Sequence, residues 1–247
     1  MTPPGLLVID VSEHQPALDW PAIASSGVVG AYLRVAEGVT PDRRYEAHRK
    51  GAEAAGLLVG AYQFARFRHS ADVLVNAFVR TAGEGLTLPP VFDVEETDGA
   101  SAETIAETTA EWIAQVWEHG PRPIIYTGAP FWDAHVGHHG DDYPAWDTFP
   151  LWLAAYVDHE PTLPHAWDRW TLWQFTDRYP IQGLARGVDA SVFRGTLDDL
   201  RALALPRLPD TDPAPPACAT CSAAMQPGDV HCVYCGTDVD PMDLHDR

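Results

Sequence analysis

The alternation of apolar, strand-like runs with helix-like segments is the feature that most limits how this chain can fold. Eight short apolar runs occupy the first 205 residues: LLVIDVS, GAYLRVAEG, LVGAYQFAR, PPVFDVEE, PIIYTG, LWLAAY, TLWQFT and GVDASVF. Helix-like segments such as residues 43–56 and 70–83 separate the early runs, whereas loops join the later ones. Nearly continuous apolar runs are typical of parallel strands buried on both faces. The pattern predicts an α/β fold, namely an irregular (β/α) barrel of eight strands with fewer helices.

The composition changes after residue 205. Residues 206–217, PRLPDTDPAPPA, contain five prolines and predict an extended linker. Residues 218–247 then hold all four cysteines of the chain, as CATC and CVYC. The expected domains are therefore a barrel over residues 1–205, a linker over 206–217, and a small module with its tail over 218–247.

The two CxxC pairs of the C-terminal module have the spacing of zinc knuckles. They predict a structural Cys₄ zinc site in a zinc-ribbon-like module, with four ligands: Cys218, Cys221, Cys232 and Cys235. Two disulfides are the alternative if the protein is oxidised outside the cell. Four cysteines leave no open position on the metal, so this zinc is not expected to take part in catalysis.

The net charge and the apolar pattern exclude some functions. With 16 basic and 35 acidic residues the net charge is −19, which argues against a nucleic-acid partner. No run of 18 apolar residues occurs, so no membrane insertion is expected. The N-terminal segment MTPPGLLVIDVSEHQ lacks a basic region and predicts that no secretory signal is present.

Acidic residues recur at the ends of the predicted strands. In such a barrel the C-terminal strand ends meet in one cleft, which would bring together Asp10, Asp93, Glu95 and Asp189. In VFDVEE, Asp93 and Glu95 are alternate residues and project to the same side of the strand. A solvated strand end would explain that pair alone. Because buried like charges are costly, four converging carboxylates favour a functional site instead.

Other polar and aromatic residues are predicted near the same strand ends. They are Tyr62, Arg66, Tyr126, Trp152, Tyr156, Trp173 and Gln174. Aromatic faces suit sugar rings, whereas Trp112 and Trp117 are expected to fill the core. Paired carboxylates with aromatic platforms are typical of glycoside hydrolysis. The alternative of a catalytic divalent metal has less support: only His14 lies near a strand end, and HVGHHGDDY (135–143) lacks regular ligand spacing.

Seven motifs together resemble glycoside hydrolase family 25, the N,O-diacetylmuramidase lysozymes, over residues 5–205. In order they are IDVSEHQ with LDW, YLRVAEGVTPDRRY, AAGLLVGAYQFAR, PPVFDVEE, PIIYTG, LWLAAY, and TLWQFT followed by GLARGVDASVF. The resemblance implies an irregular barrel of eight strands and hydrolysis of the β-1,4 bond between N-acetylmuramic acid and N-acetylglucosamine in peptidoglycan. It implies no cofactor for catalysis.

The resemblance also implies roles for individual residues. Glu95 would be the general acid, and Asp93 would orient and stabilise the acetamido group of the substrate or act with it as an internal nucleophile. Asp10 and Asp189 would complete the carboxylate cluster, and Tyr62 would contact the sugar. In one departure, Gln63 stands where many relatives carry His. It should point away from the neighbouring tyrosine and leave the site unaffected. Retention of anomeric configuration is favoured by the resemblance, and strand spacing alone leaves inversion open.

The expected partner is bacterial peptidoglycan, with an unknown protein or wall ligand for the zinc module. The alternatives are a non-catalytic wall-binding barrel and an adaptor whose zinc module binds the partner. Without a secretory signal, the expected route is synthesis in the cytoplasm followed by action on the extracellular wall. Delivery through a phage-type pore, by injection or by another nonclassical route would then be required.

Overall fold

The computed structural model describes residues 2–15, 18–118, 120–137, 145–181 and 187–205. Their strands are β1 (Leu6–Val11), β2 (Val28–Glu37), β3 (Thr40–Pro41), β4 (Leu58–Phe64), β5 (Val91–Asp93), β6 (Ile124–Thr127), β7 (Leu151–Ala154), β8 (Leu172–Tyr179) and β9 (Val188–Phe193). The helices are α1 (Trp20–Ser25), α2 (Tyr45–Ala54), α3 (Ala71–Ala82), α4 (Ala102–Trp117), α5 (Ala129–His135) and α6 (Leu197–Ala202).

Eight of the strands close into a barrel. Hydrogen-bonded neighbours follow the order β1-β9-β8-β7-β6-β5-β4-β2, and the additional pairing of β1 with β2 completes the ring. The two-residue strand β3 lies outside the ring and pairs antiparallel with the end of β2. A closed barrel of eight strands with few helices confirms the predicted barrel fold.

The expectation that all barrel strands are parallel was wrong for β9. This strand runs antiparallel to both β1 and β8. The physical reason is the connection from β8 to β9, which spans only residues 180–187. A parallel crossover needs a dozen or more residues, whereas a short connection joins antiparallel strands. The start of β9 therefore lies at the barrel end where the parallel strands finish.

Two further expectations differ in detail. The strand carrying VFDVEE ends at Asp93 rather than continuing to Glu96. The connection after β6, expected to be a loop, contains the seven-residue helix α5, which has a proline in its first turn and buries Ala129 and Trp132. A helix of two turns is too short to show a clear apolar periodicity in the sequence.

The apolar core has two parts, one inside the barrel and one between the strands and the helices. The inner part includes Tyr32 and Trp152, whose rings lie 4.7 Å apart. In the outer part, Trp112 of α4 is fully buried and stacks on Phe92 with ring centroids 4.5 Å apart. Trp112 therefore fills the core, as predicted, and Trp117 packs at its edge.

Gln63 of β4 connects four elements in the outer layer. Its amide nitrogen donates to the carbonyls of Gly38 (2.7 Å) and Leu74 (2.9 Å), and its amide oxygen accepts from Trp112 Nε1 (2.7 Å). The side chain is fully buried on the face opposite Tyr62. It thus points away from the barrel interior, as expected from its place in the strand.

By its contacts the chain divides into two units, Met1–Pro206 and Arg207–Arg247. The predicted linker and the four predicted zinc ligands, Cys218, Cys221, Cys232 and Cys235, lie outside the described residues. Within the described ranges, no helix combines the length and the apolar character needed to cross a membrane.

Candidate active site

A cavity of about 420 Å³ opens at the barrel end where the parallel strands finish. It is lined by ten of the residues singled out from the sequence: Asp10, Asp93, Glu95, Asp189, Tyr62, Arg66, Tyr126, Trp152, Tyr156 and Gln174. The antiparallel β9 contributes through its first residues, since Asp189 is paired in register with Asp10 of β1. We refer to this cavity as the catalytic cleft.

The alternation of side chains along each strand explains why these residues meet. Asp10, Asp93, Tyr126 and Gln174 each follow, two positions later, an apolar residue that fills the barrel interior: Val8, Val91, Ile124 and Leu172. Because alternate side chains of a strand share a face, each polar side chain points into the barrel like the apolar residue before it, and lies closer to the open end. The barrel interior thus supports the cleft from below.

Trp173 is the one predicted substrate-binding residue that does not reach the cleft. It lies between two inward-facing residues of β8 and therefore points outward. Its ring is 4 % exposed and packs beside Trp170, and its Nε1 donates to the carbonyl of Ala155 at 2.7 Å. The expectation that Trp173 is a sugar platform is corrected: it is a core residue. Trp152 does face the cleft, as part of its floor, with its Nε1 donating to Ser191 Oγ at 2.9 Å.

Burial and mutual repulsion raise the pKa values of the carboxyl groups of the cleft. Burial, followed by the nearby charges of Glu95 and Asp10, raises the pKa of Asp93 well above its usual range. Burial and then the charge of Asp189 likewise raise the pKa of Asp10. Burial also raises the pKa of Glu95, and it raises that of Asp189 to about 6. At neutral pH the cluster therefore resists carrying four full negative charges.

Gln174 organises the hydrogen bonds on one side of the cluster. Its Oε1 accepts from the hydroxyls of Tyr126 (2.8 Å) and Tyr156 (2.9 Å), and its Nε2 donates to Asp10 Oδ2 (2.9 Å). Two hydroxyl donors fix the amide oxygen on the tyrosine side, so the amide nitrogen must face Asp10. This arrangement favours the ionised form of Asp10 and opposes the effect of its burial on the pKa.

Tyr126 connects this network to Glu95. Its hydroxyl also hydrogen-bonds Glu95, which lowers the pKa of that carboxyl against the larger effect of burial. A hydroxyl has a single proton, so it can donate to Gln174 or to an ionised Glu95, but not to both. When Glu95 carries a proton, the tyrosine is free to donate to Gln174. The proton on Glu95 and the direction of the tyrosine hydrogen bond are therefore linked.

Asp93 differs from Asp10 because one of its oxygens has no partner. Asp93 is 6 % exposed, and its Oδ1 is buried without a hydrogen bond. A buried acceptor left unpaired costs about 1–3 kcal/mol, so such atoms are uncommon in native proteins. The residue itself lines the cleft, so its carboxyl group stands beside the space that a ligand would occupy.

A charged edge of the cleft was not singled out from the sequence. Arg34 of β2 donates through Nε to Asp42 Oδ2 at 3.0 Å, and its Nη1 contacts Glu37 at 3.4 Å. Arg66 joins the same edge, donating through Nε to Glu37 at 3.0 Å and through Nη1 to Asp98 at 3.0 Å. A single arginine within the apolar run GAYLRVAEG, at an inward-facing position, was the available signal.

Comparisons with known proteins find relatives of the barrel in both sequence and structure. The model of the family described as Glycosyl hydrolases family 25 matches residues 9–184. An uncharacterised protein of Escherichia coli (strain K12), YegX, is 32 % identical over 78 % of this chain and 71 % of its own length. Lysozyme M1 of Streptomyces globisporus is 31 % identical over 81 % of this chain and 71 % of its own. The structure of a family GH25 lysozyme from Aspergillus fumigatus superposes with a TM-score of 0.73 and 28 % identity, over 82 % of this chain and 100 % of that one.

Proposed function

This chain belongs to glycosyl hydrolases family 25, and on that premise we propose that the catalytic cleft is the active site of a peptidoglycan muramidase. Such an enzyme hydrolyses the β-1,4 bond between N-acetylmuramic acid and N-acetylglucosamine. One observation carries the assignment to this cleft: four carboxyl groups from β1, β9 and the end of β5 converge there, each with a raised pKa. A glycosidase needs a carboxyl group that stays protonated beside others that carry charge.

Glu95 is the proton donor in this proposal. Burial raises its pKa, so it holds a proton at a pH where an exposed glutamate would be ionised. Its place beyond the end of β5 sets it at the mouth of the cleft, where a glycosidic oxygen can approach. The proton passes to that oxygen as its bond to the anomeric carbon breaks, and the leaving sugar departs as an alcohol.

Asp93 acts on the acetamido group of the muramic acid. Its carboxylate, which lines the cleft, is the acceptor for the acetamido N–H, and this hydrogen bond turns the acetamido oxygen toward the anomeric carbon. That oxygen forms a bond to the anomeric carbon as the glycosidic bond breaks, and a cyclic cation results. The negative charge of Asp93 stabilises this cation. Water then attacks the anomeric carbon as the bond to the acetamido oxygen breaks, which restores the acetamido group, and the water gives a proton to the Glu95 carboxylate, with net retention of configuration.

The remaining polar groups hold charge and position around this reaction. Asp10 is held in place by Gln174, and when it is ionised its charge raises the pKa of Asp93. The charge of Asp189 raises the pKa of Glu95, and burial is the only larger cause of that shift. Tyr62, which is paired in register with Arg34, offers its ring and hydroxyl to the sugar.

Amide variants of two aspartates test the assignment of roles. Asp93→Asn should slow the release of reducing ends from purified peptidoglycan by more than roughly a hundredfold, because a neutral amide cannot stabilise the cation. Asp10→Asn should cost less, since its charge acts from a distance. If Asp93→Asn loses less than about tenfold while Asp10→Asn is inactive, the two roles are reversed.

Retention is tested by the anomer formed first. Proton NMR of a soluble glycan during cleavage should show the β anomer of the new reducing end before mutarotation. Initial appearance of the α anomer would mean that water attacks directly, as in inverting glycosidases. The alternative of a non-catalytic wall-binding barrel has no observation in its favour, because the carboxyl groups that chemistry requires are present and converge.

A further inference from the structure

A second groove lies beside the catalytic cleft. It has a volume of about 710 Å³, and its lining includes Tyr156, Val157, Phe175, Thr176 and Tyr179. We refer to it as the aromatic groove. It is formed by the end of β8 and the segment after β7, on the part of the barrel mouth farthest from β2.

Tyr156 is shared by the two cavities. Its ring is 55 % exposed and lines both of them, while its hydroxyl is held by Gln174 inside the cleft at 2.9 Å. Tyr156 therefore forms a wall common to the cleft and the aromatic groove, so the two cavities are neighbours.

A third cavity continues the cleft on the other side. It has a volume of about 200 Å³ and shares Arg34 and Glu37 with the cleft. Around the closed ring, β2 and the β7–β8 pair are separated by about half of the eight strands. The two outer cavities thus lie at opposite edges of the barrel mouth, with the four carboxyl groups between them. This is the layout expected for a polymer that crosses the mouth.

We propose that the aromatic groove binds a sugar ring of the glycan strand beyond the pair that flanks the cleaved bond. This inference rests on the proposed muramidase activity and adds the direction in which the strand leaves the cleft. Phe175 and Tyr179 meet edge to face at 5.8 Å, and with Tyr156 they offer flat apolar surfaces of the kind that pack against a pyranose ring.

The charges of the groove favour a neutral sugar over the peptide stem. Arg178 Nε pairs with Asp177 at 2.9 Å, and His159 lies 3.2 Å from Asp158. Each positively charged or titratable nitrogen that lines the groove therefore has a carboxylate beside it. A peptide stem brings carboxylates of its own, which would have to displace these partners.

Glycan length is the variable that tests the proposal. Wild-type enzyme is compared on stem-free tetrasaccharide and octasaccharide fragments of peptidoglycan, with kcat/KM measured for each. The octasaccharide should be cleaved about three- to tenfold more efficiently, the range expected for one aromatic contact. Val157→Trp, which fills the groove, and Tyr179→Leu, which keeps an apolar side chain but removes the ring, should abolish that advantage and leave the tetrasaccharide rate unchanged.

Val79→Trp is the matched control, because Val79 is an exposed valine (59 %) on α3, outside both cavities. It should retain the full length dependence, and melting curves verify that all three variants fold. Equal rates on the two fragments, or a length dependence that survives Val157→Trp, would refute sugar binding in the aromatic groove. Neither result would affect the proposed muramidase activity. An increase in kcat/KM with length that occurs only for fragments carrying peptide stems would also refute the proposal, because it would mean that the groove binds the peptide stem. Failure of the wild type to cleave any fragment would refute both the activity and the groove.

Discussion

At the scale of single residues, the carboxyl groups of the cleft differ in their hydrogen-bond partners. Asp10 accepts from Gln174, Glu95 meets the hydroxyl of Tyr126, and Asp93 keeps one oxygen unpaired. Burial raises the pKa of all of them, and the hydrogen bonds to Asp10 and Glu95 act in the opposite direction. This division assigns the acid to Glu95 and the acetamido contact to Asp93.

Glu95→Gln should remove most of the activity, by roughly 10²–10⁴-fold, because the amide keeps the shape but has no proton to transfer. The melting temperature should stay the same or rise, since a carboxyl group whose pKa is raised in the folded state is replaced by a neutral amide. Turbidity loss of cell-wall suspensions measures the activity. Near-normal clearing by a folded variant would show that Glu95 is not the acid.

The raised pKa values also predict how stability depends on pH. A carboxyl whose pKa is higher in the folded state favours folding fully below its unfolded value, near 3.9 for Asp, and loses that contribution as pH rises through the folded value. With the pKa of Asp189 at about 6 and those of the other three also raised, stability should fall as pH rises from about 4 to above 6.

Asp93→Asn should make that fall shallower and should raise the melting temperature at pH 7, while activity is lost. Thermal unfolding of both proteins across this pH range provides the measurement. If the wild type grows more stable between pH 4 and 7, or if the variant shows the same slope, the raised pKa of Asp93 is contradicted.

The sequence predicted the acids better than the aromatic and basic residues of the site. Four acids carried by three strands are costly to bury, so their meeting could be inferred from the pattern alone. Trp173 was misplaced although its neighbour Gln174 was expected in the cleft, and adjacent residues of a strand face opposite sides. Arg34 was missed because its role depends on Asp42 and Glu37, contacts that the strand pattern does not reveal.

At the scale of elements, Gln63 ties the helix layer to the barrel. Its side chain joins β4 to α4, to α3 and to the turn after β2. A polar side chain buried in this layer is stable only because each of its hydrogen bonds has a partner.

Gln63→Leu should therefore lower the free energy of unfolding by about 3 kcal/mol, because it leaves the buried Trp112 indole N–H without an acceptor and removes the hydrogen bonds to the carbonyls of Gly38 and Leu74. Activity well below the melting temperature should persist, since the side chain faces away from the cleft. Chemical denaturation measures the change. Asn76→Leu is the control, because it removes an exposed hydrogen bond to the Asp72 carbonyl. Equal losses in the two variants would contradict the role of Gln63.

The positions of the strands along the chain were more predictable than their direction. The apolar runs located all eight barrel strands, because each must bury both of its faces. The reversed direction of β9 depends on the short connection before it, and β3 is only two residues long. The direction of β9 follows from the length of its connection, and β3 forms by pairing with β2. Neither feature changes the pattern of apolar residues in the sequence.

At the scale of the whole molecule, we propose that the C-terminal module is independent of the chemistry. Every residue assigned to the reaction precedes position 190, and the proline-rich segment 206–217 follows the barrel. A chain truncated after Leu205 should fold with an unchanged barrel melting transition and should cleave soluble muropeptides at a similar rate. Activity on intact walls may be compared in parallel, where a loss would indicate targeting by the module. An inactive truncated barrel on soluble fragments would contradict this independence.

We also propose that Cys218, Cys221, Cys232 and Cys235 hold one structural zinc ion. Metal analysis of the full-length protein should find one zinc per chain, and none after truncation. A chelator should release it and leave the barrel transition in place, because thiolate coordination supplies most of the folding energy of so small a module. Full-length protein that contains neither metal nor free thiols would instead indicate two disulfides.

The identity of the new reducing end tests the central claim most directly. Purified peptidoglycan is digested with the enzyme, reduced with borohydride and analysed by mass spectrometry, with Glu95→Gln as the inactive control. Cleavage of the bond that follows N-acetylmuramic acid predicts that the reduced sugar is N-acetylmuramitol in every new product, and that the control yields none. Products ending in reduced N-acetylglucosamine, or products released by peptide or amide cleavage alone, would contradict the assignment of this cleft as a muramidase site.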